Sequence, residues 1–222
     1  MIRNGLGHAT CLVGPALLVI AKEPVPGRVK TRLTPPFTPV QAAALARAAL
    51  TDTFAAAAAA PGAGRRIAVL DGEPGPWLPP GFEIIAQRGD GLDERLAAAF
   101  EDVGEPAFLI GMDTPQVMPD LLADGLRAVA EGDSVFGAAF DGGYWCIGLR
   151  TPDRAVFEGV PMSTDRTGAL QLARMHELGL APAILPPLRD VDTHEDARAV
   201  AAEAPESRFA ATLAGIDARV PA

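Results

Sequence analysis

Short apolar runs recur along the chain, and stretches with helical spacing fill most of the intervals between them. Residues 16–21, 66–70, 82–86, 107–111, 134–140, 144–149 and 183–185 read as strands. Each is short, rich in aliphatic and β-branched residues, and bounded by Gly, Pro or Asp. Thr38 followed by Pro39 is a helix start, with a hydroxyl at the cap and proline in the first turn. The alanine-rich run 40–60 then reads as one long helix, since Leu45, Ala49 and Phe54 fall on about one face and Pro61-Gly62 ends it. A second helix puts Leu92, Leu96, Ala99 and Phe100 on one face, and others are expected over 119–131 and 167–178, with one or two more over 194–214. Strands alternate with helices over most of the length. That order predicts an α/β chain whose mostly parallel sheet is covered on both faces.

One stretch does not fit the role of a simple connection. After the first strand comes KEPVPGRVKTRL, residues 22–33, with Lys22, Arg28, Lys30 and Arg32 against Glu23, in a chain of formal net charge −9. Pro24, Pro26, Pro35 and Pro36 remove amide donors and hold their neighbours extended, so helix is not expected before Pro39. The result is a stiff basic loop at the carboxyl end of a first strand, where open α/β sheets bind ligands. It suits the phosphates of a nucleotide. The alternative is a solvated basic face.

Composition narrows the partners. The acidic balance argues against non-specific binding to nucleic acid or an anionic membrane, which both select a basic face. No window approaches the roughly 18 apolar residues of a membrane span. Cys11 and Cys146 form no CxxC pair, so neither a zinc site nor a disulfide framework is expected and a cytoplasmic location is the default. Residues 1–14 read as a loose extension rather than a leader, and 15–222 as one domain. In the Gly- and Pro-rich loop 71–81, Trp77 reads as a hydrophobic plug in preference to a stacking surface.

Carboxylates stand where strands end: Asp113, Asp141, and the pair Asp190 and Asp192. Residues just beyond strand ends converge on one edge of a doubly wound sheet. Opposite a basic loop, such carboxylates fit a Mg²⁺ or Mn²⁺ ion that also touches diphosphate oxygens. Asp113 can equally open the turn before Pro115, and one of Asp190 and Asp192 can cap the helix that follows near Thr193. Asp141-Gly142-Gly143-Tyr144 offers close backbone approach beside an aromatic, the features of a sugar pocket and also of a hairpin turn. His8, His176 and His194 are isolated, and the chain has no GxSxG, no GxxxxGK[ST], and no GxGxxG after its first strand. Zinc chemistry, an α/β-hydrolase and a P-loop nucleotidase are thereby disfavoured.

Taken together, Lys22–Leu33, Gly111–Pro115 (GMDTP), Asp141–Leu149 (DGGYWCIGL), Ser163–Asp165 (STD) and Asp190–Asp196 resemble the bacterial DUF2064 family over roughly residues 15–200. That family comprises glycosyltransferase-like proteins of the nucleotide-diphospho-sugar transferase superfamily and is similar to the guanylyltransferase of cofactor F420 biosynthesis. The resemblance implies a three-layer α/β/α, type A glycosyltransferase fold with a mixed, mostly parallel sheet. It implies a nucleotide near the first-strand loop, with Lys30, Arg32 and Asp113 at the chemistry; read from the residues themselves, Asp165 is the candidate base for an acceptor. Lys22, Arg28, Asp141, Gly142, Gly143, Tyr144 and Ser163 would bind substrate, and Asp113, Asp190 and Asp192 would hold Mg²⁺ or Mn²⁺. Two departures stand out. The glycine-rich loop of nucleotidyltransferases is replaced by a proline-rich one, and the DxD of many glycosyltransferases is reduced to Asp113 followed by Thr114-Pro115. Glycosyl transfer from a nucleotide-sugar to a small acceptor is the first expectation. Nucleotidyl transfer with release of pyrophosphate, and nucleotide binding without turnover, are the alternatives.

Overall fold

The computed structural model describes residues 14–218, so the expected 1–14 extension lies almost wholly outside them. Seven strands form one sheet in the order β3-β2-β1-β4-β6-β5-β7. They are β1 (Ala16–Lys22), β2 (Arg66–Asp71), β3 (Glu83–Ala86), β4 (Ala107–Gly111), β5 (Val135–Ala139), β6 (Tyr144–Leu149) and β7 (Ala183–Leu188). Only β6 runs against its neighbours β4 and β5; every other pairing is parallel. Among the described residues the six α-helices are α1 (Pro39–Ala59), α2 (Leu92–Val103), α3 (Pro119–Glu131), α4 (Thr167–Glu177), α5 (His194–Glu203) and α6 (Arg208–Asp217). The expected α/β/α architecture with a mixed, mostly parallel sheet is the one observed.

Alternation along the strands assigns the two faces. Leu17, Val19 and Ala21 of β1 turn toward α1 and α3, packing with Phe54, Leu122 and Leu126. Ala16 and Leu18 turn the other way, toward the α2 side chains Leu96 and Phe100 and Met175 of α4. Helix α1 is itself an inner element. Its far side packs on α5 and α6 through Leu45, Ala49, Val200, Phe209 and Leu213. Burial on two sides explains its alanine content, because small side chains let neighbouring layers approach. Its start is a full capping box, in which Thr38 accepts from the Gln41 amide and Gln41 from the Thr38 amide. Trp77 is 4% exposed and packs on Phe54 at 5.5 Å between ring centroids, as a plug should.

The last strand runs three residues further than its apolar triplet, through Pro186-Pro187. An edge position and a break in register make this possible: one proline turns its missing amide away from the sheet, and the other falls where the pairing with β5 shifts between Leu185 and Leu188. The chain builds β1, β2 and β3 outward in one direction, then crosses back to place β4 on the other flank of β1. The loops leaving β1 and β4 therefore diverge from adjacent strands, creating a crevice at their carboxyl ends. Among the described residues, no helix is long and apolar enough to cross a membrane.

Candidate active site

The basic loop is held from beneath by its apolar residues. Val29 packs on Ala43 and Ala46 of α1, while Leu33 and Phe37 are buried against the α1–α5–α6 layer. A short 3-10 turn, Thr31–Leu33, follows Lys30, whose backbone is left-handed at φ 48° and ψ 42°. That conformation is unfavourable for a residue with a Cβ, and it is retained at the point where the lysine side chain turns inward. The Lys30 side chain is 8% exposed, and its Nζ lies 2.9 Å from Asp113 Oδ2, just beyond β4. Arg32 reaches across to Asp192, and Lys22 lies 3.7 Å from Asp71 at the end of β2. Among the described residues Arg28 has no carboxylate at ion-pair distance; it is exposed on the outer side of the loop.

The carboxylate segments are stitched together. The Val191 amide donates to the Asp113 carbonyl at 3.0 Å, and the Gln116 side chain donates to the Arg189 carbonyl at 2.6 Å. This places Asp113 beside Asp190 and Asp192. Asp113 Oδ1 is buried and, among the described residues, accepts no hydrogen bond. The Asp190 carboxyl is pushed up to about 6, first by burial and then by the charge of Asp141, with Asp113 adding to it and Lys30 opposing. Neither Asp190 nor Asp192 caps the following helix. Thr193 does, in a capping box with Asp196.

Beyond β5, Asp141 Oδ1 accepts from the Gly143 amide at 2.7 Å. Gly142 has φ +90°, and a Cβ there would meet the Asp165 carbonyl at 2.0 Å. Its own carbonyl accepts from the Gly168 amide at 2.7 Å. The glycine pair thus makes the β5–β6 turn and admits the amino end of α4; the close approach is to the chain's own backbone. Ser163, left-handed at φ 59°, and exposed Asp165 come from this same segment. The Tyr144 hydroxyl donates to Gln171 at 3.3 Å, and burial raises its pKa. Trp145 is buried and donates to the Pro186 carbonyl.

These groups surround one cleft of about 710 Å³, lined among others by Lys22, Lys30, Arg32, Asp113, Asp141, Tyr144, Ser163, Asp165, Asp190 and Asp192. A smaller basin of about 320 Å³ lies against the basic loop and adds Arg28. All the candidate residues named from the sequence line one or the other except Gly142, which lies directly behind the wall. Thr114 of the GMDTP stretch also lines the cleft, as do Gln87, Leu92 and Leu96, which carried no motif. Gln87 is committed to structure: its side-chain amide donates to the Ala21 and Val69 carbonyls and accepts from Arg95. Asp71, which binds both Lys22 and Arg95, had one available signal as an acid closing a strand.

Among the described residues, no three acidic, His or Cys side chains form an all-protein metal cage. The donor set still fits an ion that borrows oxygens from its substrate. The unpartnered Asp113 Oδ1 and the charge-strained Asp190 are two such carboxylates, and Mg²⁺ is commonly held by one or two with phosphates and water. The Asp192 carboxylate, expected at the metal, is engaged by Arg32, as Asp113 is by Lys30.

The model of the family described as "Uncharacterized protein conserved in bacteria (DUF2064)" matches residues 41–164. That stretch includes Asp113, the Asp141–Gly143 turn and Ser163, and leaves out the basic loop and Asp190. A candidate nucleotide-diphospho-sugar transferase from Desulfovibrio desulfuricans is 28% identical with a TM-score of 0.81, over 92% of this chain and 95% of that one. The 2-C-methyl-D-erythritol 4-phosphate cytidylyltransferase of Thermus thermophilus has a TM-score of 0.51 at 18% identity, over 85% and 98% of the two chains. CMP:2-keto-3-deoxy-manno-octonic acid synthetase complexed with CTP has a TM-score of 0.50 at 13% identity, over 87% and 99%. These last two share the fold alone. No curated protein matches the sequence. With the family model spanning more than half of its length, and this sheet and helix order beneath it, the chain belongs to the DUF2064 family and has the nucleotide-diphospho-sugar transferase fold.

Proposed function

We propose that this protein is a metal-dependent, nucleotide-using transferase that moves a glycosyl group from a nucleotide-sugar to a small-molecule acceptor. The observation that carries the reading is the contact of Lys30 with Asp113 at the β1–β4 crevice, which brings the cationic loop and the carboxylates into one cleft. Charge favours one of the possible phosphate loads. Lys22, Lys30 and Arg32 line the cleft against five aspartates, and each of the three already faces one carboxylate. Such a site tolerates a diphosphate neutralised by one divalent ion better than a triphosphate joined by a phosphorylated co-substrate.

Asp113 and Asp190 would hold Mg²⁺ or Mn²⁺. When bound, the ion supplies charge neutralisation of the diphosphate. Lys30 and Arg32 are placed to hold the phosphate oxygens and stabilise the negative charge that accumulates there as the bond to the anomeric carbon breaks. Lys22 and Arg28 extend the cationic wall. Ser163, Asp141, Tyr144 and the Gly142–Gly143 turn shape the acceptor side. Asp165 receives the proton as the acceptor oxygen forms its new bond to that carbon, and the nucleoside diphosphate leaves.

Nucleotidyl transfer is the second reading, favoured by the separate basin beside Arg28, which offers room for a pyrophosphate. Thermal-shift measurements with UDP-, GDP- and ADP-sugars and with nucleoside triphosphates, with and without Mg²⁺, separate the readings, because a ligand of the native state raises its melting point. Metal-dependent stabilisation by a nucleotide-sugar, release of nucleoside diphosphate, and loss of both in Asp113→Asn are expected. Pyrophosphate release from a triphosphate moves the assignment to the second reading. Binding without turnover of any donor returns the chain to a non-catalytic domain.

A further inference from the structure

The elements that line the cleft differ in what they offer a ligand. Among the described residues, every lining cation, Lys22, Lys30 and Arg32, comes from the end of β1 and its loop. The β5–β6 and α4 side contributes Asp141, Tyr144, Met162, Ser163, Thr164 and Asp165, with no lysine or arginine. Arg166, adjacent in sequence, is exposed and does not line the cleft. A phosphate or carboxylate on that side would then meet no cationic donor, only hydroxyls and the backbone amides at the start of α4. Three of those amides are already used. The Arg166 amide donates to Thr164 Oγ1 at 3.3 Å, the Thr167 amide to the Thr164 carbonyl at 3.2 Å, and the Gly168 amide to the Gly142 carbonyl at 2.7 Å.

Resting on the transferase reading above, we propose that the acceptor carries no phosphate or carboxylate and is a neutral or cationic hydroxyl compound, such as a polyol or amino-polyol. Asp141, Asp165 and the Ser163 and Thr164 hydroxyls accept hydrogen bonds from its hydroxyl or ammonium groups. An anionic acceptor would face unpaired carboxylates on this side, and like-charge contact is a strong means of rejecting a wrong partner.

Glucose, glucosamine and glucose 6-phosphate form a matched set of probes differing chiefly in charge. Their binding to the full chain, saturated with Mg²⁺ and a nucleoside diphosphate, is measured by saturation-transfer NMR. Glucose and glucosamine are expected to bind at least about tenfold more tightly than glucose 6-phosphate, a factor equal to about 1.4 kcal/mol. In Asp165→Lys, an exposed position, the order between glucosamine and glucose 6-phosphate reverses; Asp141→Asn, checked for an unchanged melting point, narrows the gap. Equal or tighter binding of glucose 6-phosphate, an order unmoved by either substitution, or no binding of any probe to a protein that does take the nucleoside diphosphate overturns the proposal. Failure of the nucleoside diphosphate itself to bind overturns the transferase reading instead.

Discussion

Lys30 and Asp113 meet at 2.9 Å, joining the loop after β1 to the loop after β4 through a side chain that is almost fully buried on the lysine side. Adjacent parallel strands leave their outgoing loops side by side, so this contact follows from the sheet order. The lysine backbone is left-handed, and Asp113 Oδ1 has no partner of its own. Two unfavourable features persist together at one point, and each yields a measurement.

Lys30→Ala removes the ammonium and leaves Asp113 short of both partners, which is expected to lower stability by about 1–3 kcal/mol. Lys30→Gly loses the same contact but fits φ 48° without strain, so it should be more stable than the alanine variant by about 1 kcal/mol. Urea denaturation of both gives the comparison. An alanine variant as stable as the glycine one would mean that the left-handed backbone carries no cost.

Arg32 is the opposite case, with a side chain 70% exposed. Screened surface pairs contribute little, so Arg32→Ala should leave the melting temperature unchanged. Nucleotide binding should weaken, and its dependence on salt should become shallower, in a titration at two ionic strengths. Unaltered affinity would remove Arg32 from the phosphate contacts.

Asp190 sets a pH dependence. Its folded-state value, about 6, lies above the roughly 3.9 of an unfolded aspartate. Between the two the folded chain keeps a proton that the unfolded chain has released. Stability in EDTA therefore falls as pH rises from about 4 to about 6 and gains no further penalty from this group above that. Asp190→Asn should flatten that segment of the profile. Denaturant midpoints across the range test it, and superimposable profiles would contradict the burial and charge argument.

Gly142→Ala places a methyl 2.0 Å from the Asp165 carbonyl and at φ +90°. A loss of about 1–3 kcal/mol is expected from the backbone alone. Because the methyl displaces the Ser163–Asp165 segment and not the basic loop, nucleotide-dependent stabilisation should survive while transfer is lost. Transfer at the wild-type rate would show that Asp165 has no part in it.

Much of the fold was legible because it is written locally. Ala107–Gly111, Tyr144–Leu149 and Pro119–Glu131 begin and end where apolar runs, glycines and prolines put them. β7 ran past its apolar triplet because edge prolines are tolerated only once the sheet has an edge. In the candidate site, residue types were readable and partners were not. The choice between Asp190, Asp192 and Thr193 as cap turned on side-chain geometry.

By itself, then, the sequence determined which segments are strands and helices, that a basic loop follows the first strand, and that aspartates follow later ones, since all of these are matters of near-neighbour chemistry. The tertiary structure alone decided that β4 lies beside β1, that Arg32 pairs with a carboxylate 160 residues away, and that the glycine pair packs on α4. Strand order is fixed by which buried faces pack best across the whole sheet, and that sum has no local signature.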